Sequence, residues 1–322
     1  MSAFSLNLKV RHPDRVGLIV VLLALPGVWA AAASSEPALS SPSISRGEIV
    51  YSKSCAACHG ENGDGQSMAG QYLEPRPRNF VSGMFKFRST PSGELPTDAD
   101  LLAIVEKGVP GTQMPAWKMT LTRQERLDVV AFLKTFAPDF KEAAPPPIQV
   151  STPTESTPEA IKVGKMVYML MECWACHGGS GKGDGKSGKT LNDDWGHKIL
   201  PWNLTSFRYK AGNDAETLYR TFTTGLNGTP MPAYALDGFL IAGDANVDPG
   251  KYKEEYKSPE VEQLKGWMLT QPTDAALQKM PIEQRNALGE DRKWALVHYI
   301  RSLIRKPSLF YSLFTKDTEV TP

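Results

Sequence analysis

Cys55-Ala-Ala-Cys58-His59 and Cys173-Trp-Ala-Cys176-His177 are two copies of one pentapeptide, and together they hold all four cysteines of this 322-residue chain. The copies stand 118 positions apart (173 minus 55). Whether they form one site or mark two repeated units depends on how far the likeness extends on either side.

It extends far. Gly47-Glu-Ile-Val-Tyr51 precedes the first copy and Gly164-Lys-Met-Val-Tyr168 the second. Both read as short helices with a small residue and an aromatic about one turn apart. Gly60-Glu-Asn-Gly63-Asp64-Gly65 follows the first copy, and the loop from Gly178 through Gly181 and Gly183 to Gly185 follows the second. Phe85-Lys-Phe-Arg88 resembles Phe207-Arg-Tyr-Lys210. Asp98 to Gly108 runs parallel to Asp214 to Gly225, each a helix with an acidic start and a glycine stop. Past each stop comes a methionine in matching context, Gly111-Thr-Gln-Met114-Pro and Gly228-Thr-Pro-Met231-Pro, at a spacing of 117. Asp128 to Phe136 aligns with Ala295 to Leu303, where the offset has grown to 167. The second unit has therefore gained about 50 residues, roughly Ala235 to Gly289, including a Gly/Asp-rich loop near 243–250 and a helix from Pro259 to Leu269.

C-x-x-C-H is the attachment signature of c-type haem. Two thiols add across the two porphyrin vinyl groups, and the histidine after the second cysteine becomes the proximal iron ligand. Three alternatives are weaker. Disulfides within adjacent C-x-x-C pairs have poor geometry and leave each histidine unexplained. A zinc site needs its cysteine pairs roughly 15–20 residues apart, and a thioredoxin-like motif needs a βαβ surround where this chain shows helix and glycine-rich loop. The expectation is two covalently bound haem c groups, one through Cys55 and Cys58 with His59, the other through Cys173 and Cys176 with His177.

With 41% apolar and 22% charged residues the composition is globular. Residues 1–33 stand apart: Lys9, Arg11 and Arg15 precede an apolar run from Val16 to Ala33 that ends in four alanines. This pattern predicts a secretory signal peptide, with an uncleaved N-terminal membrane anchor as the alternative. Without that segment the count is 33 basic and 34 acidic residues, a formal charge of −1, with no basic excess for nucleic acid. The expected layout is a first domain over 34–137, a Pro/Ser/Thr-rich semi-rigid linker over 138–160, a second domain over 161–306 and a tail over 307–322.

Each half resembles a class I cytochrome c, with C-x-x-C-H, a glycine and aromatic on the preceding helix, a Gly-Thr-x-Met-Pro loop and an aromatic last helix in order. The resemblance covers Ser45 to Phe136 and about Ile161 to Ile304, minus the insertion, and implies an all-α fold of two tandem domains. It also implies that Met114 and Met231 are the distal iron ligands, and that a proline after each histidine, Pro77 or Pro201, offers a carbonyl to the ring nitrogen. Export fits the same family, whose haem is attached outside the bacterial cytoplasm, and implies a periplasmic protein. A thioether is a soft neutral donor that favours ferrous iron and raises the potential. Among the 11 methionines, Met68, Met119, Met169 and Met171 are the other candidates, but only Met114 and Met231 recur at the repeat period. Gly47 lies eight residues before Cys55 and Gly164 nine before Cys173, so the helix phase into the second motif is expected to differ. Arg76, Arg78, Arg88 and Arg208 are candidates to pair with haem propionates. His298, on the last helix, reads as a packed or surface histidine, and His197, in a polar loop, as a solvated residue, rather than as ligands.

A six-coordinate His/Met iron leaves no position for substrate, so the expected function is single-electron transfer rather than turnover. The partners would be a redox donor and an acceptor, such as a membrane respiratory complex or a periplasmic dehydrogenase. The rival accounts are a dihaem enzyme such as a cytochrome c peroxidase, and a cytochrome subunit of a larger respiratory oxidoreductase. The insertion would be a docking surface or a cover over one haem edge.

Overall fold

The computed structural model describes residues 39–244 and 246–306. The expected signal segment and the C-terminal tail lie outside them. Among the described residues the chain forms eleven α-helices, joined by loops and short 3₁₀ turns, with no strand. The first half contributes α1 (Ile44–Ser54), α2 (Ala56–His59), α3 (Asp98–Lys107) and α4 (Arg123–Leu133). The second contributes α5 (Pro158–Leu170), α6 (Cys173–His177), α7 (Ala215–Thr224), α8 (Pro249–Tyr252), α9 (Ser258–Leu269), α10 (Asp274–Lys279) and α11 (Ile282–Leu303). None of these helices is long and apolar enough to cross a membrane.

Helix ends follow local chemistry. Thr97 and Thr122 form capping boxes with Asp100 and Glu125, and Asp214 caps α7 through Thr217 N. Gly108 and Gly225 stop α3 and α7 at matched positive φ of 66° and 68°.

The core of each half is a crossing of its first and last helices. In the first, Val50 and Tyr51 of α1 meet Val129, Val130 and Leu133 of α4. A Cβ on Gly47 would stand 2.0 Å from Asp128 O and 2.8 Å from Phe132 Cβ. In the second, a Cβ on Gly164 would stand 1.9 Å from Ala295 O and 2.7 Å from Tyr299 Cβ. Only a hydrogen in place of a side chain admits so close a crossing. The two crossings are therefore equivalent, and the expected difference in helix phase does not reach them. The extra residue is absorbed at Glu172, the only non-glycine at positive φ (55°) among the described residues, whose carboxylate pairs with Lys251 Nζ at 2.5 Å. It resets the chain between α5 and α6.

Residues added to the second half form a cover over α5. Tyr252 and Tyr256 around α8, with Val261, Leu264 and Met268 of α9, pack on Met166 and Met169. The corresponding face of α1 carries Ile49, which is 56% exposed. Helix α11 begins at Ile282 and runs for 22 residues, so it extends back through the region expected to belong to the insertion and places Gly289 against Leu236.

After a 3₁₀ turn at Pro138–Lys141 the linker is extended and fastened to both halves. Ile148 N donates to Ser89 O at 2.8 Å, and Ser151 Oγ donates to Glu290 Oε2 at 2.6 Å while accepting from Trp294 Nε1 at 2.8 Å. Thr154 Oγ1 lies 3.2 Å from His298 Nε2. His298 is only 4% exposed and its Nδ1 has no partner. Burial, aided by Arg301 and opposed by the Thr154 contact, lowers its pKa below the ordinary 6.5. A buried imidazole kept neutral binds its proton less readily than the unfolded chain does, so its contribution is full above the unfolded value and declines as pH falls towards the folded one. The melting temperature should fall between pH 7.5 and 5, and His298→Leu should flatten that fall; an unchanged slope in the variant would assign the effect to other groups.

Candidate functional site

In each half a buried tyrosine fixes the turn that follows the C-x-x-C-H helix. Tyr51 is 2% exposed and donates to Gly60 O at 2.6 Å; Tyr168 is fully buried and donates to Gly178 O at 2.7 Å. These bonds set α2 and α6, and with them His59 and His177, against the loop that comes next.

His59 Nδ1 lies 3.2 Å from Arg78 O and His177 Nδ1 lies 3.0 Å from Trp202 O. A carbonyl only accepts, so each Nδ1 carries the proton and each Nε2 keeps its lone pair. Burial lowers both imidazole pKa values, which favours that neutral ligating form. The carbonyl belongs to the residue after the proline, not to Pro77 or Pro201 as the family pattern implied. Proline sets the backbone direction, and the following peptide brings its oxygen to the ring. Phe80 stacks on His59 with centroids 4.5 Å apart.

The methionine loops match bond for bond. Val109 N donates to Met114 O and Leu226 N to Met231 O, both at 3.1 Å; Met114 N donates to Thr112 Oγ1 at 3.1 Å and Met231 N to Thr229 Oγ1 at 3.2 Å. In the first half Cys55, Cys58, His59 and Met114 line one cavity of about 400 Å³ with Leu101, Val105 and Leu133. In the second, Cys173 and Met231 pack on one core cluster. Tyr234, three residues after Met231, is half-buried, and its desolvation with Cys173 and Cys176 for neighbours holds its phenol protonated above the usual range.

No disulfide joins the four cysteines, and burial pushes the Cys55 and Cys173 thiols up to about 12. The first cavity fits a c-type haem on its donor set: two thiols, an imidazole lone pair and a thioether within an apolar wall. Its rim has the right polar groups as well. Trp117 Nε1 and Arg78 Nη1 line it, buried and without partners, and Lys86 and Lys210 join them. Lys86 is brought down to about 8 by burial and by Arg78 and Lys210. Carboxylates of the porphyrin would satisfy such a rim.

The other sequence candidates are placed elsewhere. Met68 and Met119 are 83% and 89% exposed, and Met169 is buried in the cover over α5. Arg76 lies on the rim and donates to Gly70 O. Arg88 is not on the cavity: it donates to Thr224 O at 2.6 Å and Gly225 O at 3.5 Å, capping the buried carbonyls at the end of α7 in the other half. His197 is exposed and lines an interdomain cleft with Asp193 and Trp195. Sequence reasoning missed Lys210, which belongs to the second half yet lines the cavity of the first, and it missed the acceptor carbonyls. The recurrence of Pro77-Arg-Asn-Phe80 as Pro201-Trp-Asn-Leu204 was the available signal for the latter.

Comparison with known proteins agrees with this geometry. Residues 42–133 match the family described as cytochrome c oxidase, cbb3-type, subunit III. Residues 161–248 match the family described as cytochrome c. No curated protein matches the chain. A chain of the reducing HAO-like protein complex of Kuenenia stuttgartiensis is 34% identical, aligned over 84% of this chain and 100% of its own, with a TM-score of 0.63. The chain belongs to the c-type cytochromes and carries two cytochrome c domains in tandem.

Proposed function

We propose that the protein is an exported dihaem cytochrome c that passes single electrons between redox partners. The observation that carries this is the duplicated donor set: in each domain a histidine with its Nδ1 proton tied to a carbonyl, and a methionine loop with the same two internal hydrogen bonds. A c-type haem bound in each domain supplies reversible one-electron iron chemistry. Cys55, Cys58, Cys173 and Cys176 would anchor it, His59 and His177 would each offer a ring nitrogen to the iron, and Met114 and Met231 a thioether sulfur. With an imidazole and a thioether offered to each iron, neither domain would leave the metal a free position for substrate. The apolar wall of Leu101, Val105 and Leu133 excludes water, and the loop hydrogen bonds hold each methionine in place. The basic, apolar N-terminal segment supports export and a periplasmic location.

Ferric His/Met iron has a thioether charge-transfer band in the near infrared. Met114→Ala and Met231→Ala should each remove one of two such signals. If either variant keeps both, the ligand assignment is wrong, and peroxide turnover by the native protein would favour the peroxidase account instead. A second reading, a cytochrome subunit of a larger oxidoreductase, is favoured by the 34% identity to a chain taken from a protein complex. Co-purification of a stable redox partner from native membranes or periplasm supports it, and a monodisperse free carrier speaks against it.

A further inference from the structure

The two domains are joined through the peptides that orient their histidines. Trp202 O accepts from His177 Nδ1 in the second domain, while the Trp202 indole lies on Gly111 of the first domain's methionine loop. A Cβ on Gly111, whose φ is +74°, would stand 2.6 Å from Trp202 Cη2. Lys210 Nζ stands 5.0 Å above the same indole on the way to the first cavity. The partner arrangement runs the other way. Arg78 O accepts from His59 Nδ1 in the first domain, while its guanidinium stacks 4.6 Å from the centre of Trp195. A Cβ on Gly228 (φ +75°), in the second domain's methionine loop, would stand 2.7 Å from Trp195 Cη2 and 3.0 Å from Arg78 Nη1, so the guanidinium backs the Trp195 indole against that loop. Arg78 and Trp202 occupy equivalent places in the repeat, as do Gly111 and Gly228.

We infer that Trp202 and Arg78 are reciprocal latches: each orients its own domain's proximal histidine through its carbonyl and holds the other domain's methionine loop closed through its side chain. They are positioning residues, and they couple the ligation of one iron to the structure around the other. This rests on the His/Met assignment proposed above. A main-chain carbonyl survives substitution, so truncating Trp202 leaves the His177 acceptor in place and opens space beside Gly111 as well as beside the second domain's own core, on which the indole also packs. A shift in the Met114 signal, in the domain that was not mutated, is therefore the mark of the latch.

The test uses holoprotein in two backgrounds, each with a single thioether signal. In the Met231→Ala background, where Met114 supplies the signal, Trp202→Ala should raise the affinity with which free imidazole displaces that signal by about 2- to 30-fold, the range expected for coupling through packed side chains. Trp202→Phe, which keeps a ring on Gly111, should restore most of the parent affinity. In the Met114→Ala background, where Trp202→Ala is measured as well, Arg78→Ala should raise the imidazole affinity of the Met231 signal. Trp202→Ala acting on the Met231 signal alone, or on neither, overturns the inference. Parents that fail to lose one signal each would overturn the ligand assignment first, and the latch with it; a Trp202→Phe variant as weak as Trp202→Ala would show that ring packing is not the cause.

Discussion

Replacing Cys173 and Cys176 together by alanine is expected to remove about half of the covalently bound haem, and with it about half of the Soret absorbance, because each motif attaches one group. Cys173 lies in the core beside Trp174, with Trp202 and Met231 packed on the same cluster. His177 would remain hydrogen-bonded to Trp202 O, but an imidazole alone does not keep the group through denaturing extraction. The mass of the denatured variant should fall by one haem, and the Met231 thioether signal should vanish while the Met114 signal persists. Full absorbance with an undiminished denatured mass would mean that this motif is not an attachment site.

Gly164→Ala is the second large effect. The added methyl carbon meets Ala295 O at 1.9 Å and Tyr299 Cβ at 2.7 Å, a carbonyl and a helix neither of which can move independently. Helices α5 and α11 must separate, at a cost of at least about 3 kcal/mol for overpacking of this kind. For a chain of this size the melting temperature should drop roughly 6–12 °C. Gly47→Ala should behave alike, since its Cβ would stand 2.0 Å from Asp128 O. Gly266, inside α9, has nothing within 4 Å of its would-be Cβ. Gly266→Ala should therefore stabilise by about 0.5–1 kcal/mol, through helix propensity alone. Equal melting temperatures for Gly164→Ala and Gly266→Ala would refute the crossing as the source of stability.

What could be read from the residues was whatever the repeat wrote twice in side chains. Tyr51 and Tyr168, and Met114 and Met231, stand in matching surroundings in the fold, whereas Asp214 caps α7 and Asp98 stands one place inside α3, behind its cap Thr97. Contacts made by main-chain atoms were harder to foresee, because an acceptor such as Arg78 O or Trp202 O has no residue identity to mark it. Contacts between the halves were harder still. Arg88 looked like a partner for a carboxylate, but the last turn of α7 needs donors for its carbonyls, and the pairing depends on how two domains meet. Lys210 sits in the second copy of Phe-x-x-basic, yet its ammonium serves the first cavity. The backward extension of α11 was hidden because the added turns have no counterpart in the first domain for comparison.

Glu172 shows that the distance along the chain between a packing glycine and an attachment motif is adjustable. One residue in the left-handed conformation, secured by Lys251, lets a helix crossing and a cofactor motif keep the same relation in space with different numbers of residues between them. A sequence pattern that demanded that glycine eight positions before the first cysteine would find one domain here and pass over its twin.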